Sequence, residues 1–163
     1  MKLKQKSSWI TYEEMIILVT NELIRSWLIE NGPITKRISA KENFTLNLIR
    51  DEIDEVDEID KKYLGNIIGD IKIREVILLG NKVPKVYAKS LIPVQTIEKG
   101  FLKLGSLGSK PLGDILFEKD IFIKIDVVYS TFTNELDTFW GRKTKYTVKN
   151  LPFSVMEIFL IDE

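Results

Sequence analysis

Two cations on neighbouring strands are the first sign of chemistry in this sequence. Arg74 lies in an apolar, strand-like run over residues 71–79, and Lys89 lies in a second such run over residues 86–92. The Gly-Asn-Lys segment between the runs is typical of a tight turn, so the runs are predicted to pair as a hairpin. A cation held against a hydrophobic core needs an anion, and no obvious one lies nearby in the sequence. The pattern therefore favours a small carboxylate ligand.

The residue types that are missing restrict the chemistry further. The 163-residue chain contains no Cys and no His, which excludes thiol nucleophiles, disulfides, Ser-His triads and ordinary zinc sites. Catalysis would have to use carboxylates, Lys, Arg, Tyr or hydroxyl groups. Only five of the 24 basic residues are Arg, which suggests that Arg is kept where its planar guanidinium is useful. These five are Arg25, Arg37, Arg50, Arg74 and Arg142.

Composition and length limit the partners and the domain count. The 24 basic and 24 acidic residues give zero net charge, which argues against nucleic acid as a partner because phosphate binding needs a basic excess. The sequence has no run of about 18 apolar residues, so no membrane span is predicted. The basic first residues are not followed by an apolar signal region, so we expect a cytoplasmic protein. Without a linker-like segment, residues 1–163 are predicted to form a single domain.

The predicted elements follow one another through short turns. A capping box at Thr11 predicts a helix that Gly32-Pro33 ends, and a turn at Lys149-Asn150 predicts a closing hairpin. The other predicted elements are a strand over 44–49, helices over 97–104 and 111–117, a strand over 121–129 with Ile121, Ile123, Ile125 and Val127 on one face, and hairpin strands over 143–148 and 153–160. About six strands and three or four helices in this order predict an α+β fold with a single antiparallel sheet.

The acidic segment over residues 51–60 has two interpretations. A metal-binding cluster is one, but the segment lacks the glycine and the ligand spacing of a calcium loop. Apolar residues that recur every three or four positions favour the other, a helix with a solvated acidic face. These residues are Ile49, Ile53, Val56, Ile59 and Tyr63.

Four short motifs, in order along nearly the whole chain, resemble those of the chorismate lyase family and its lyase-like relatives. They are Gly-Pro-Ile-Thr-Lys-Arg at 32–37, Arg-Glu-Val at 74–76 with Ala-Lys-Ser-Leu-Ile-Pro at 88–93, Leu-Gly at 104–105 with Lys-Pro-Leu-Gly-Asp-Ile-Leu-Phe at 110–117, and Trp-Gly-Arg at 140–142 with Met-Glu-Ile-Phe-Leu at 156–160. The resemblance implies an antiparallel sheet with helical flaps over an internal site. It also implies conversion of chorismate to 4-hydroxybenzoate and pyruvate without a metal or cofactor.

The resemblance also implies particular site residues. The catalytic pair falls on Arg74 and Glu157, and substrate-binding positions fall on these two and on Ile34, Lys89 and Leu112. Lys89 and Lys36 stand where the family commonly has arginine, and lysine keeps the charge but loses the bidentate fork. The first helix and the acidic segment are expected to supply flaps, and Arg142 is expected to anchor a strand end.

Three alternatives remain open at this point. Arg74 and Glu157 could form a buried ion pair across neighbouring strands and bind nothing. The chain could be a non-catalytic binding module for aromatic carboxylates, similar to the effector domains of some transcription regulators. It could also be a lyase that acts on a related cyclic acid.

Overall fold

Seven antiparallel strands form one sheet in the computed structural model, which describes residues 2–161. The strand order across the sheet is β1-β5-β6-β7-β4-β3-β2. The predicted α+β fold with a single antiparallel sheet is confirmed, with one short strand more than the six expected. The strands are β1 (Lys4–Gln5), β2 (Phe44–Ile53), β3 (Ile71–Gly80), β4 (Val83–Pro93), β5 (Phe122–Thr133), β6 (Thr138–Val148) and β7 (Leu151–Phe159).

Six short α-helices lie between the strands in the described part of the chain. The Thr11 capping box is present, but the helix it opens ends at Leu18, and Asn21 caps a second helix. The single helix predicted between Thr11 and Gly32 is therefore two helices. The helices are α1 (Tyr12–Leu18), α2 (Glu22–Leu28), α3 (Ile34–Ser39), α4 (Glu58–Leu64), α5 (Val94–Lys99) and α6 (Leu112–Glu118), with a 3-10 turn at Leu102–Gly105. No helix among the described residues has the length and apolar character needed to cross a bilayer.

The two predicted hairpins are confirmed with their turns. Strands β3 and β4 pair with Arg74 opposite Ser90, and β6 and β7 pair with Arg142 opposite Glu157. Each turn contains two adjacent residues with positive φ, at Asn81-Lys82 and at Lys149-Asn150. Such angles suit the two-residue turns that join twisted strands. The turns therefore fix which residues of each hairpin share a face of the sheet.

A β-bulge interrupts β5. Lys124 pairs with Tyr146, whereas the next pair along β6 is Lys145 with Asp126, so Ile125 is the extra residue. A bulge changes which alternate residues face each side of the sheet. The prediction that Ile121, Ile123, Ile125 and Val127 share one face is therefore wrong.

One face of the sheet carries most of the helices. Apolar residues of α1, α2 and α3 pack on it with side chains of β3 and β4. A second cluster on this face joins the 3-10 turn and α6 to side chains of β4 and β7. We call this side of the sheet the cavity face, because the space between the two clusters is not filled.

The opposite face is covered by other segments. Leu64 of α4 packs on Ile71, Ile73 and Leu91, and the N-terminal segment packs there through Trp9. The acidic segment thus belongs to this face, and the expectation that it forms a flap over the site is wrong. Residues 51–53 of this segment belong to the end of β2, and residues 58–60 belong to the start of α4. Ile49 and Ile53 lie within β2, and their side chains are exposed.

Candidate functional site

A cavity of about 390 Å³ lies on the cavity face, between the sheet and the helices α2, α3 and α6. This volume is within the range of roughly 300–1,000 Å³ that is usual for small-molecule sites. Its inner wall consists of side chains of β3, β4, β6 and β7, and the start of α3 and the start of α6 cover it. Its rim includes the exposed residues Tyr12, Asn31, Phe117 and Lys124.

Arg74 lines this cavity from β3. Arg74 is only 3% exposed. One terminal nitrogen of its guanidinium donates to the carbonyl oxygens of Gly108 (3.1 Å) and Lys110 (2.7 Å). Its Nε is buried and has no hydrogen-bond partner among residues 2–161. Burial lowers the pKa of Arg74, and the charge of Asp51 opposes this effect. The guanidinium is therefore a desolvated cation of a residue that lines the cavity.

The loop that receives Arg74 requires an unusual backbone conformation. Gly108 has φ of +57°, and a Cβ atom built there would contact nothing within 4 Å. A glycine adopts this left-handed conformation without strain. The glycine-bearing loop before α6 is thus shaped to bring two carbonyl groups onto Arg74, rather than being merely a flexible connection.

Glu157 faces the same cavity from β7, but its ion-pair partner is Arg142. The Arg142 Nε donates to Glu157 Oε1 at 2.9 Å, and both side chains are largely buried. Burial opposes the charge on Arg142, yet the carboxylate of Glu157 raises the pKa of Arg142 above its ordinary value. The alternative in which Arg74 and Glu157 pair across neighbouring strands is wrong, because β4 lies between β3 and β7.

Arg142 also ties the sheet to the helical cover. Its Nη1 donates to the carbonyl oxygens of Leu28 (3.1 Å) and Glu30 (2.7 Å). The Leu28 carbonyl is one of the unpaired groups at the end of α2, so Arg142 caps this helix. The residue before Arg142 must be small, because a Cβ on Gly141 would lie 2.8 Å from the Glu157 carbonyl oxygen. This contact accounts for the glycine of the Trp-Gly-Arg motif.

Ile34 and Leu112 both line the cavity. Each is the first residue of a covering helix, and each follows a proline, at Pro33 and Pro111. The two covers meet where Thr35 donates a hydrogen bond to Asp114 at 2.8 Å. The structure thus brings together four of the five predicted site residues around one cavity: Ile34, Arg74, Leu112 and Glu157.

Lys89 is the exception, and the prediction that it lines the same cavity is wrong. Its neighbours Ala88 and Ser90 face the cavity, whereas Lys89 pairs with Glu75 and Met156 on the opposite face. Successive side chains of a strand point to opposite faces, so Lys89 cannot share a face with Ala88. The motif match gave its position along the chain without the parity of the strand.

Several cavity residues were missed by the sequence analysis. Arg142 was placed outside the site, although counting back from the Lys149-Asn150 turn sets it opposite Glu157. Lys124 was hidden by the β5 bulge. Tyr146 follows from its alternation with Arg142, and burial, reinforced by the charge of Glu157, raises the pKa of Tyr146 to about 12. The hydroxyl residues Ser90 and Thr144 complete this group.

The charges around the cavity are not balanced by the protein. The charged lining residues are Glu30, Arg74, Lys124, Arg142 and Glu157. Glu30 pairs with Arg37 at 3.6 Å, and Glu157 pairs with Arg142. Arg74 and Lys124 take part in no ion pair among residues 2–161. The site therefore presents two cations that form no ion pair of their own among these residues, although the charges of Asp51 and Glu157 act on them, and this arrangement suits an anionic ligand.

Metal ligation is not what the described side chains offer. Within residues 2–161, no three or more acidic residues gather in a group that could hold a metal ion. The acidic segment extends from a strand through a loop into α4, so its carboxylates do not converge.

The fold is thus an α+β fold with a single antiparallel sheet and a cation-lined cavity under short helices. A profile of the chorismate lyase family matches residues 3–163. The chain therefore belongs to the chorismate lyase family.

Individual relatives agree with this assignment. A probable chorismate pyruvate-lyase of Pseudomonas putida is 26% identical, with 94% of this chain and 88% of that protein aligned. A chorismate pyruvate-lyase of Pectobacterium atrosepticum is also 26% identical, over 94% of this chain and 84% of its own. A probable chorismate pyruvate-lyase of Pseudoalteromonas atlantica is 30% identical, over 87% and 81%.

A solved structure with a similar fold is the effector domain of PhnF from Mycobacterium smegmatis. Its TM-score is 0.57 at 10% sequence identity, and the match covers 81% of this chain and 90% of that one. At this identity the likeness concerns the fold alone.

Proposed function

We propose that this protein is a chorismate pyruvate-lyase, which converts chorismate to 4-hydroxybenzoate and pyruvate. The observation that carries the proposal is the buried Arg74, which lines the cavity and has no ion-pair partner among residues 2–161, in a chain of the chorismate lyase family. The named relatives support the same reaction.

The ring carboxylate of chorismate is assigned to Arg74. An unpaired buried charge is costly, and a carboxylate that reaches it supplies charge and hydrogen-bond acceptors together. Because Gly108 and Lys110 hold one terminal nitrogen, the guanidinium is fixed before the ligand arrives. Preorganisation of this kind reduces the entropy that binding costs.

Glu157 is assigned to the opposite end of the ring. Of the two cavity-lining carboxylates, Glu30 pairs with Arg37, outside the cavity lining, whereas Glu157 is held on the sheet by Arg142. Its carboxylate can accept a hydrogen bond from the ring hydroxyl or take the ring proton. Arg142 is a positioning residue in this scheme, because it holds Glu157 and the end of α2 together.

The reaction itself needs little covalent assistance. The bond between the ring carbon and the enolpyruvyl oxygen breaks, and its electrons leave with enolpyruvate. The hydroxyl-bearing neighbouring carbon loses its hydrogen as a proton, and the electron pair of that bond completes the aromatic ring. Enolpyruvate gains one proton at its methylene carbon and becomes pyruvate. The protein therefore mainly orients the substrate and stabilises the departing charge.

The covering helices keep water from the reacting ring. Ile34 and Leu112 begin these helices and present apolar side chains to the cavity. We assign them as contacts to the substrate ring, with the backbone at Leu112 near the bound ligand. Lys89 has no part in this assignment because it lies on the opposite face of the sheet.

Incubation with chorismate tests the proposal directly. Chromatography should show 4-hydroxybenzoate and pyruvate appearing in equal amounts, and the Arg74→Met variant should form both far more slowly. A non-catalytic binding module would instead bind 4-hydroxybenzoate and leave chorismate intact. A lyase for a related cyclic acid would also leave chorismate intact, but would release pyruvate from another enolpyruvyl ether.

A further inference from the structure

Lys124 is the second uncompensated cation of the cavity, and the β5 bulge gives it this position. Without the extra residue at Ile125, alternation from Val127 would direct Lys124 to the opposite face. The shifted register instead pairs it with the cavity residue Tyr146. Bulges of this kind commonly re-aim a side chain beside a functional site.

The surroundings of Lys124 favour an added anion. The carboxylate of Glu157 is already engaged with Arg142, so it offsets the charge of a second cation only in part. Burial lowers the pKa of Lys124, and the charge of Arg142 acts in the same direction while Glu157 opposes both. A carboxylate placed at Lys124 would therefore stabilise its charged form.

Arg74 and Lys124 lie at separate ends of the cavity. Arg74 is on β3 and Lys124 is on β5, with β4, β7 and β6 between them, so their backbones are about four strand spacings apart, roughly 19 Å along a flat sheet. Both side chains are long and reach into the space between. A ligand that engages both must carry anionic groups at two separated positions, with Glu157 between them on β7.

We infer that Lys124 forms a second anion subsite at the rim of the cavity and binds the enolpyruvyl carboxylate of chorismate, an assignment that rests on the proposed lyase function. The ring carboxylate then occupies Arg74, the ring hydroxyl meets Glu157, and the enolpyruvyl group points towards the exposed rim. Each product retains one carboxylate. Cleavage therefore separates the two anions that had held the substrate at both ends.

Binding of two stable aromatic acids tests this subsite independently of turnover. One is 3-(carboxymethoxy)-4-hydroxybenzoate, which has a carboxylate at each end. The other is 4-hydroxy-3-methoxybenzoate, which lacks the second carboxylate. Calorimetry would compare the two affinities in the wild-type protein, in Lys124→Met, and in the control variant Lys99→Met, which removes an exposed charge outside the cavity.

The wild-type protein and Lys99→Met should bind the dicarboxylate at least about tenfold more tightly than the monocarboxylate, the magnitude expected for a charge-assisted contact. Lys124→Met should remove this preference for the dicarboxylate, while its affinity for the monocarboxylate should stay within about twofold of the wild-type value. A wild-type protein without the preference, or a Lys124→Met variant that keeps it, would overturn the subsite. Chorismate turnover without the preference would refute only the subsite, whereas the preference without turnover would refute only the lyase function.

Discussion

The two faces of the sheet each bury a cation, but only one of them leaves its charge unanswered. On the opposite face, Lys143 is 3% exposed, as Arg74 is on the cavity face. The Lys143 Nζ lies between two rings, 4.3 Å from the centre of Trp9 and 4.2 Å from that of Tyr63, and 3.5 Å from an Asp60 oxygen. Arg74 donates to two backbone carbonyl groups, and its Nε has no partner within the described residues.

The difference teaches how a ligand-binding cation can be recognised. Aromatic faces and a carboxylate satisfy Lys143 within the protein itself, and it does not line the cavity. Arg74 is equally buried, but it lines the cavity and forms no ion pair with any carboxylate in the described part of the chain. Burial and residue type therefore do not identify a site, whereas an uncompensated charge beside a cavity does.

The largest expected effect is on kcat, and it should distinguish the carboxylate that pairs with a buried cation on the cavity face from the one on the opposite face. Glu157→Gln should lower kcat by about 10²–10⁴-fold, because an amide cannot take a proton and pairs more weakly with Arg142. Asp60→Asn, the matched change beside Lys143, should leave kcat unchanged. Steady-state kinetics with chorismate measure both. Similar losses in the two variants would mean that the cavity carboxylate has no special role.

Exchanging each buried cation for methionine should separate binding from structure. Arg74→Met should weaken the binding of 4-hydroxybenzoate by about tenfold to a hundredfold, since a hydrogen bond between charged groups is worth about 1.5–3 kcal/mol. Lys143→Met should leave that affinity unchanged. Calorimetric titration gives both constants, and thermal unfolding verifies that each variant is folded. The distinction between the two faces would be contradicted if Lys143→Met lowered the affinity for 4-hydroxybenzoate as much as Arg74→Met does.

A pH dependence of the free energy of unfolding is expected from Lys143, on the opposite face of the sheet. Burial lowers the pKa of Lys143, and Asp60 only partly offsets this effect. Between this lowered value and the ordinary lysine pKa of about 10.4, the unfolded chain binds more protons than the folded chain. The free energy of unfolding should therefore rise with pH in that window, relative to Lys143→Met.

Arg74 provides the matched control for this pH effect. Its guanidinium remains protonated in the folded and unfolded chain across the same window, so the difference between wild-type and Arg74→Met should not vary with pH. Denaturant unfolding from about pH 7 to pH 10 measures both differences. A flat difference for Lys143→Met would contradict the desolvation described for its ammonium group.

The smallest effect is expected at Lys89. Because Lys89 faces Glu75 and Met156 on the opposite side of the sheet, Lys89→Met should change KM for chorismate by less than about twofold. Lys89→Arg should likewise gain nothing from restoring the family's commoner residue. A several-fold rise in KM for Lys89→Met, with unchanged thermal stability, would show that charge on the opposite face reaches the substrate.

Sequence reasoning reached those features that depend on order and local pattern. The motifs identified Arg74, Glu157, Ile34 and Leu112, which the fold gathers around one cavity, and the two turns fixed the hairpin registers. The Arg142–Glu157 pair could also have been predicted by counting from the Lys149-Asn150 turn, but Arg142 was considered without its partner strand.

Other features depended on facts that no local pattern contains. Lys89 was misplaced because a motif match does not give strand parity. Lys124 was missed because a single extra residue in β5 reverses the faces of the residues before it. The acidic segment was assigned to a flap on the basis of the helical spacing of its apolar residues. That spacing does not require the residues to be buried, and Ile49 and Ile53 are exposed on a strand.

The most direct test of the uncompensated charge compares 4-hydroxybenzoate with 4-hydroxybenzamide, a neutral molecule of nearly the same shape. Calorimetry should show that the wild-type protein binds the acid at least about tenfold more tightly than the amide, and that Arg74→Met removes this preference. Equal affinities for the two compounds in the wild-type protein would contradict the claim that a ligand carboxylate completes the charge of Arg74.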